Sequence, residues 1–157
     1  MIQRILVPLD GTRGSASVVP YAAAMASRMP FKVNLLLVQP ESGARLPHPE
    51  HHQKNSRNRA SGKSSTDASA EEDLTRANER YLARHAQEFH QLGVETEEHL
   101  RWGVEVNEIL HAALDLRCDF IAMATRYRGQ HARSDKRSVA EEVVWRSRLP
   151  VLIVAEG

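Results

Sequence analysis

Short apolar runs alternate with helical segments along this chain, and no other feature of the sequence constrains the fold as strongly. The runs are rich in β-branched and large aliphatic residues, which predicts buried strands. They cover residues 2–9, 31–39, 94–102, 118–125 and 150–155. Apolar spacing of three and four residues predicts helices over residues 14–29, 70–93, 106–116 and 138–147. Because strands alternate with helices, we expect an α/β fold with a parallel sheet and right-handed crossovers.

Local signals mark the ends and faces of these helices. Ser138 and Glu141 match a capping box at the start of the last helix, and Gly93 fits a C-terminal cap for the second. On the first helix we expect an apolar stripe to face the core, formed by Val18, Tyr21, Ala22, Met25 and Met29. The corresponding stripe of the second helix is formed by Leu74, Ala77, Tyr81, Leu82, Phe89 and Leu92. The run at 94–102 alternates as an edge strand with one wet face does.

Residues 41–70 differ in character from the rest of the chain. Leu46 is their only large apolar residue, and Ser, Asn, Gly, Pro and His dominate. Such a segment buries too little surface to offset the entropy that ordering costs, which predicts a flexible insertion. A chain of 157 residues favours one domain. We therefore predict a single domain over residues 1–157 that contains this insertion.

Composition excludes several classes of function. The net charge is +1, so no overall field favours nucleic acid or an anionic membrane. Cys118 is the single cysteine, which excludes an internal disulfide and predicts a small buried apolar residue. The N-terminus lacks the charge pattern of a signal peptide, and no apolar run approaches the ~20 residues that span a bilayer. We therefore expect a cytoplasmic protein that has no membrane partner.

The sequence contains no recognisable catalytic constellation. The nucleophile-elbow, zinc-protease and phosphate-loop motifs are missing, so we expect no enzyme and assign no catalytic residue. His48, His51 and His52 lie close together in the insertion. They have neither a scaffold nor a paired cysteine, and we expect no specific metal site from them.

The stretch MATRYRGQHARSDKRSVAEE, residues 123–142, is the strongest local signal for function. It follows an apolar strand and leads into a helix, which is where doubly wound α/β proteins hold phosphates with a glycine-rich loop. Its one glycine, Gly129, lies among Arg126, Arg128, Arg133, Lys136 and Arg137. Tyr127 is the one aromatic residue of the stretch, so we expect no nucleic-acid binding. The stretch is either a charged surface loop or an anion site that uses side chains instead of backbone.

Taken together, these segments resemble the universal stress protein family over almost the whole chain except the insertion. The match rests on ILVPLDGT, LLLVQP, WGVEVNEILHAA, DFIAMATRYRG and SVAEEVVWRSRLPVLIVAEG, in which SVAEEV followed by PVLIV is the most specific part. The resemblance implies an open five-stranded parallel sheet in the order 3-2-1-4-5 with helices on both faces, similar to adenine-nucleotide α-hydrolases. It also implies a homodimer that pairs through the last strand, formed by Pro150, Val151, Leu152, Ile153, Val154 and Ala155.

The nucleotide-binding members of that family carry G-x-x-G, nine residues and then G-[ST] in the loop. On this chain the three glycine positions are taken by Ala124, Tyr127 and Arg137, and the hydroxyl position by Ser138. The other positions that the resemblance assigns to the ligand keep suitable residues, namely Pro8, Leu9, Asp10, Val38, Met123 and Val139. The adenosine side is therefore retained in type, whereas the phosphate side is rewritten.

Loss of the loop glycines decides which function we expect. Glycine lets backbone N–H groups approach phosphate, and another residue at a left-handed position costs roughly 1–2 kcal/mol. We expect a homodimeric binding or regulatory module of the stress response, with unidentified protein partners, no required cofactor and no ATP binding of the usual kind. The alternative is a sensor that binds ATP or AMP through Arg126, Arg137 and Ser138, with slow ATP hydrolysis as its extreme form. Asp10 is either a contact to adenine or ribose, or a turn residue only.

Overall fold

The computed structural model describes residues 3–41, 65–126 and 138–156, without the side chains of residues 65–68, 126 and 156. The described strands are β1 (Arg4–Leu9), β2 (Lys32–Gln39), β3 (Thr96–Trp102), β4 (Phe120–Arg126) and β5 (Val151–Glu156). A 3-10 helix, Ser15–Val18, leads directly into helix α1 (Val19–Ala26). The other described helices are α2 (Ser65–His90), α3 (Glu105–Asp115) and α4 (Val139–Arg146).

The described strands form one parallel sheet of five strands in the order β3-β2-β1-β4-β5. This confirms the sheet order that the family resemblance implied. Helices α1 and α2 pack on one face, where Ile5 and Val7 of β1 point. Helices α3 and α4 pack on the other face against Leu6. Because β1 is covered on both faces, it is a nearly continuous apolar run, as buried parallel strands are.

Helix α1 is shorter than the predicted helix over 14–29, and the predicted buried stripe is wrong at Tyr21 and Met29, whereas Val18 and Ala22 are buried as expected. Pro20 has no N–H to donate to the carbonyl of Ala16, which receives a 3-10 bond from Val19 instead, so the α-helix starts late. The buried residues are small or β-branched: Val18, Val19, Ala22, Ala23 and Ala26. Tyr21 and Met29 are exposed, because alanines let the backbone of α1 lie close to the sheet and leave no room beneath it for large side chains.

Helix α2 starts at Ser65, so residues 65–70 of the predicted insertion, 41–70, are helical, whereas residues 42–64 lie outside the described residues. Leu74, which we expected in the core, is exposed. It lies two turns before Tyr81, which already reaches the turn after β1, so that part of α2 lies beyond the end of the sheet. Leu92 is also exposed, since it belongs to the C-terminal turn.

The predicted C-terminal cap of α2 at Gly93 is confirmed. Gly93 has a φ of 73°, in the left-handed region that glycine occupies without strain. Its N–H donates to the carbonyl of His90 and the N–H of Val94 donates to that of Phe89, both at 3.0 Å. These two bonds form the Schellman motif that ends the helix and directs the chain into β3.

Among the described residues, no helix has both the length and the apolar character that a membrane span requires.

A buried polar chain crosses the sheet face beneath α3. Asn34 of β2 is 1% exposed, and its Oδ1 accepts a hydrogen bond from His99 Nε2 of β3 at 3.1 Å. The Asn34 amide lies 3.7 Å from the Cys118 sulfur and donates to it. Cys118 is buried, as predicted, and burial raises the pKa of its thiol to about 11. A thiol in that state is a poor nucleophile, so Cys118 acts as a packing residue.

His99 should make the stability of the fold depend on pH. Burial lowers the pKa of His99 below its usual 6.5, and Arg101 and Lys32 lower it further, against the opposing charge of Glu97. The unfolded chain therefore takes up a proton first as the pH falls through 6.5, and the free energy of unfolding decreases between that pH and the folded pKa. We expect the free energy of unfolding, measured by chemical denaturation, to fall less between pH 7.5 and pH 5.5 for His99→Gln than for the wild type. An identical loss in both proteins would contradict this assignment.

Candidate functional site

The candidate site lies at the carboxyl edge of the sheet, where the turn after β1 is held in a fixed shape. Asp10 Oδ1 accepts hydrogen bonds from the backbone N–H and the hydroxyl of Thr12, at 2.8 and 2.6 Å. The N–H of Asp10 donates to Ser15 Oγ at 3.0 Å, and Gly11 takes a φ of 84°. These contacts are those of an Asx-type turn, so Asp10 has a structural role at this edge. Its second predicted role, contact to a ligand, stays a prediction.

Tyr81 connects helix α2 to this turn. Its hydroxyl donates to the backbone carbonyl of Thr12 at 3.2 Å and lies 3.5 Å from Ser15 Oγ. Burial raises the pKa of Tyr81, and the negative charge of Asp10 adds to that effect. The neutral hydroxyl therefore persists at physiological pH as a donor. Helical periodicity had indicated only a packing role for Tyr81, because the sequence does not show which turn its hydroxyl reaches.

The structure brings several predicted ligand contacts together on the α3 and α4 face of this edge. Met123, in the middle of β4, is buried in the apolar cluster of that face. Val38 near the end of β2 and Val139 at the start of α4 are partly buried and pack against the same cluster. Pro8 and Leu9 are buried in β1 and support the turn from below. Val38, Met123 and Val139 therefore pack on one face of the sheet, whereas Leu9 packs on the α1 and α2 face, and their contact with a ligand stays a prediction.

Glu105 is a residue of this edge that the sequence reasoning missed. It occupies the first turn of α3, directly after β3, and is partly buried. Burial raises the pKa of its carboxyl group, and the negative charge of Asp10 raises it further. The two acids therefore influence each other at the candidate site. In the sequence, Glu105 looks like an acid that complements a helix dipole, and only the fold places it near Asp10.

The start of α4 is satisfied by the protein itself. Ser138 Oγ accepts a hydrogen bond from the Glu141 N–H at 3.2 Å, and a Glu141 carboxylate oxygen accepts one from the Ser138 N–H at 2.8 Å. This is the predicted capping box, and it is confirmed. Glu142 adds a second acid to the first helical turn. Two carboxylates thus lie at the helix end where a phosphate would otherwise be attracted.

Of the remaining predicted site residues, some belong to the described part of the chain and others do not. Ala124 is partly buried in β4 and packs against the cluster on the α1 and α2 face, which is the opposite face from Met123. Arg126 ends β4, and its side chain is not described. Tyr127, Arg137 and the histidines of the insertion lie outside the described residues. Within the described part of the chain, no group of three or more His, Cys, Asp or Glu side chains could hold a metal ion.

The capping box should contribute measurably to stability. Replacing an N-cap serine with alanine removes a hydrogen bond to an otherwise unpaired N–H and costs about 0.5–2 kcal/mol. We expect Ser138→Ala to lower the free energy of unfolding by about 1 kcal/mol in urea denaturation. Ser138→Asp is the matched control, since aspartate also caps helices, and it should lose much less. Equal losses in both variants would mean that the hydroxyl of Ser138 does not cap α4.

A model of the universal stress protein family matches residues 1–155 of the chain. The chain belongs to the universal stress protein family. A search of curated protein sequences finds no match. The family assignment confirms the resemblance of the sequence segments, and it extends across the region 41–70 that we had left out of the match.

Solved structures of this family are similar to the chain over nearly its full length. The hypothetical protein MJ0577 is 21% identical with a TM-score of 0.71, and covers 100% of this chain and 98% of its own. A universal stress protein in complex with cAMP is 18% identical with a TM-score of 0.67, covering 98% of this chain and 97% of its own. One from Archaeoglobus fulgidus in complex with dAMP is 21% identical with a TM-score of 0.63, covering 98% of each chain. At these identities the likeness establishes the fold.

Proposed function

We propose that this universal stress protein is a homodimeric binding and regulatory module of the cytoplasmic stress response, and not an enzyme. In this proposal it does not bind ATP through a backbone phosphate cradle. The observation that supports this proposal is the capping box at the start of α4. A phosphate placed on that helix end would compete with the Glu141 carboxylate for the Ser138 N–H and would meet the negative charge of Glu142. Replacement of all three loop glycines acts in the same direction.

A comparison of the two edges of the sheet supports the dimer. Edge strands in soluble proteins are usually protected from pairing by charges, proline or a covering segment. Strand β3, at one edge of the sheet, follows that rule, since it carries the charged residues Glu97, Glu98 and Arg101. Residues 151–155 of β5 carry no charge; residues 151–154 are only partly buried and Ala155 is exposed. An uncharged edge is protected if it pairs with a second β5.

Titration of the purified protein with Mg-ATP by calorimetry tests the proposal. We expect no binding heat up to millimolar ATP at low or moderate salt, because the start of α4 already has its own acceptor. Binding in the micromolar range that does not depend on salt would contradict the proposal, since it would require a backbone cradle. The control is the same titration with adenosine, which lacks the phosphates and probes the adenosine side alone.

A second candidate function is a nucleotide sensor that uses side chains in place of the glycine loop. It is supported by the packing of Val38, Met123 and Val139 in one apolar cluster, because the resemblance assigns these positions to the ligand. Two relatives were solved with adenine mononucleotides, cAMP and dAMP, which have one phosphate each. In this case AMP should bind, and its affinity should fall as salt is raised, because arginine contacts are screened by ions. Slow hydrolysis of ATP is the enzymatic form of this alternative.

A further inference from the structure

Helix α1 carries its small residues inward and its large apolar residues outward. Tyr21 is 58% exposed and Met29 is 46% exposed, whereas the inward positions are mostly alanine. Met25 is partly buried, and the Met29 N–H donates to its carbonyl, which continues the helical spacing past the end of α1. Tyr21, Met25 and Met29 therefore form one line at four-residue intervals, called here the outer stripe. Single exposed apolar residues are common, but an aligned set marks an interaction surface.

The outer stripe borders a groove that lies between α1 and strand β5. Together with Ala24 and Arg28 it forms one wall, and residues Leu152–Ala155 form the floor of a groove of about 650 Å³. Leu152 and Val154 reach the core from this floor and remain partly exposed. Of the described residues that line the groove, Arg28 is the charged one. The groove thus joins the uncharged edge of β5 to the outer stripe in a single apolar surface.

We propose that this groove is a contact surface for a second copy of the chain, in which the outer stripes of two protomers pack over the paired β5 strands. This inference rests on the proposed dimer through β5. If two β5 strands pair antiparallel in one continuous sheet, the twofold axis is perpendicular to that sheet, so each face of one protomer continues into the same face of the other. The two grooves then lie side by side on the α1 face, and the outer stripe of each protomer borders the same seam.

Interface size and composition favour a second copy over another occupant. A stable interface buries about 800 Å² on each partner, and pairing of a six-residue strand edge provides only part of that area. Tyrosine and methionine are enriched in interface centres, whereas charged residues are depleted there. The described lining of the groove contains tyrosine and methionine and has Arg28 as its charged residue, so it provides few charged partners for a charged peptide. The stripe therefore contributes apolar area that strand pairing alone lacks.

The test compares dimer affinity among variants of the full-length protein by sedimentation velocity over a dilution series. We expect Tyr21→Ser with Met29→Ser to weaken dimerisation by at least tenfold. Met29→Leu, which keeps the apolar contact, should leave the affinity near that of the wild type. The matched control is Val104→Ser with Leu114→Ser. Both side chains are exposed and apolar; Val104 immediately precedes α3 and Leu114 lies within it. Since all of these side chains are exposed, circular dichroism should show an unchanged fold.

The variant Ile153→Asp separates failure of the inference from failure of the proposed dimer. If Ile153→Asp dissociates the dimer and the stripe variant does not weaken it, the dimer stands and the role of the stripe is overturned. If neither change affects the dimer, the interface is elsewhere and both proposals are overturned. Loss of affinity in the control pair equal to that in the stripe pair would also overturn the role of the stripe.

Discussion

Replacing Val151 and Ile153 with aspartate is expected to convert the dimer into a monomer across the concentration range of analytical ultracentrifugation. Both residues lie on β5, are partly buried and border the cluster on the α3 and α4 face. In a β5–β5 pair, two aspartates on each strand would put four like charges next to the twofold axis. Like charges directly opposite each other in a sheet are destabilising, and burying them without partners costs several kcal/mol more.

Two controls are needed because both side chains also contact the core. Val104→Asp with Leu114→Asp adds the same charge at exposed apolar positions at and near α3 and should leave the dimer intact. Ile153→Thr keeps a β-branched side chain and should weaken the dimer without unfolding the protomer, which circular dichroism would verify. A dimer that persists in a folded Asp variant would show that the interface does not use β5.

Restoring glycine at the three loop positions is expected to raise the affinity for Mg-ATP by at least a hundredfold. The changes are Ala124→Gly, Tyr127→Gly and Arg137→Gly. Glycine has no side chain at these positions, and it allows the positive φ values with which successive N–H groups surround an anion. Calorimetric titration of the variant beside the wild type measures the gain. Adding Glu141→Gln should increase it further, because that change removes the negative charge that holds the Ser138 N–H.

The control for this prediction replaces Tyr127 and Arg137 with alanine and keeps Ala124. Alanine removes the bulk and the charge of both side chains but does not supply the backbone freedom of glycine. If the alanine variant gains as much affinity as the glycine variant, side-chain obstruction was the cause and not backbone conformation. If neither variant binds ATP, the adenosine side of the site is also unfit for the nucleotide.

The sequence by itself determined the layers of this protein. Buried parallel strands need nearly continuous apolar runs, and β1 and β2 have such runs. These strands were therefore predictable from the order of residues in the sequence. Capping residues act within one helical turn of their own position, which is why the capping box at Ser138 and the cap at Gly93 were also predictable. The sheet order came from the family resemblance, since strand spacing alone allows several orders.

Only the tertiary structure decided which residues meet. The prediction for α1 was wrong at Tyr21 and Met29 because periodicity shows that a helix has an apolar face but not which of two apolar faces the sheet accepts. Close packing against the sheet selected the alanines and left Tyr21 and Met29 outside. Tyr81 contacts the turn at Asp10, and the charge of Asp10 acts on Glu105, although all three lie in segments that are distant in sequence; no local pattern encodes that proximity. The carboxyl ends of parallel strands bring such side chains to one edge, so the site exists only after the sheet has formed.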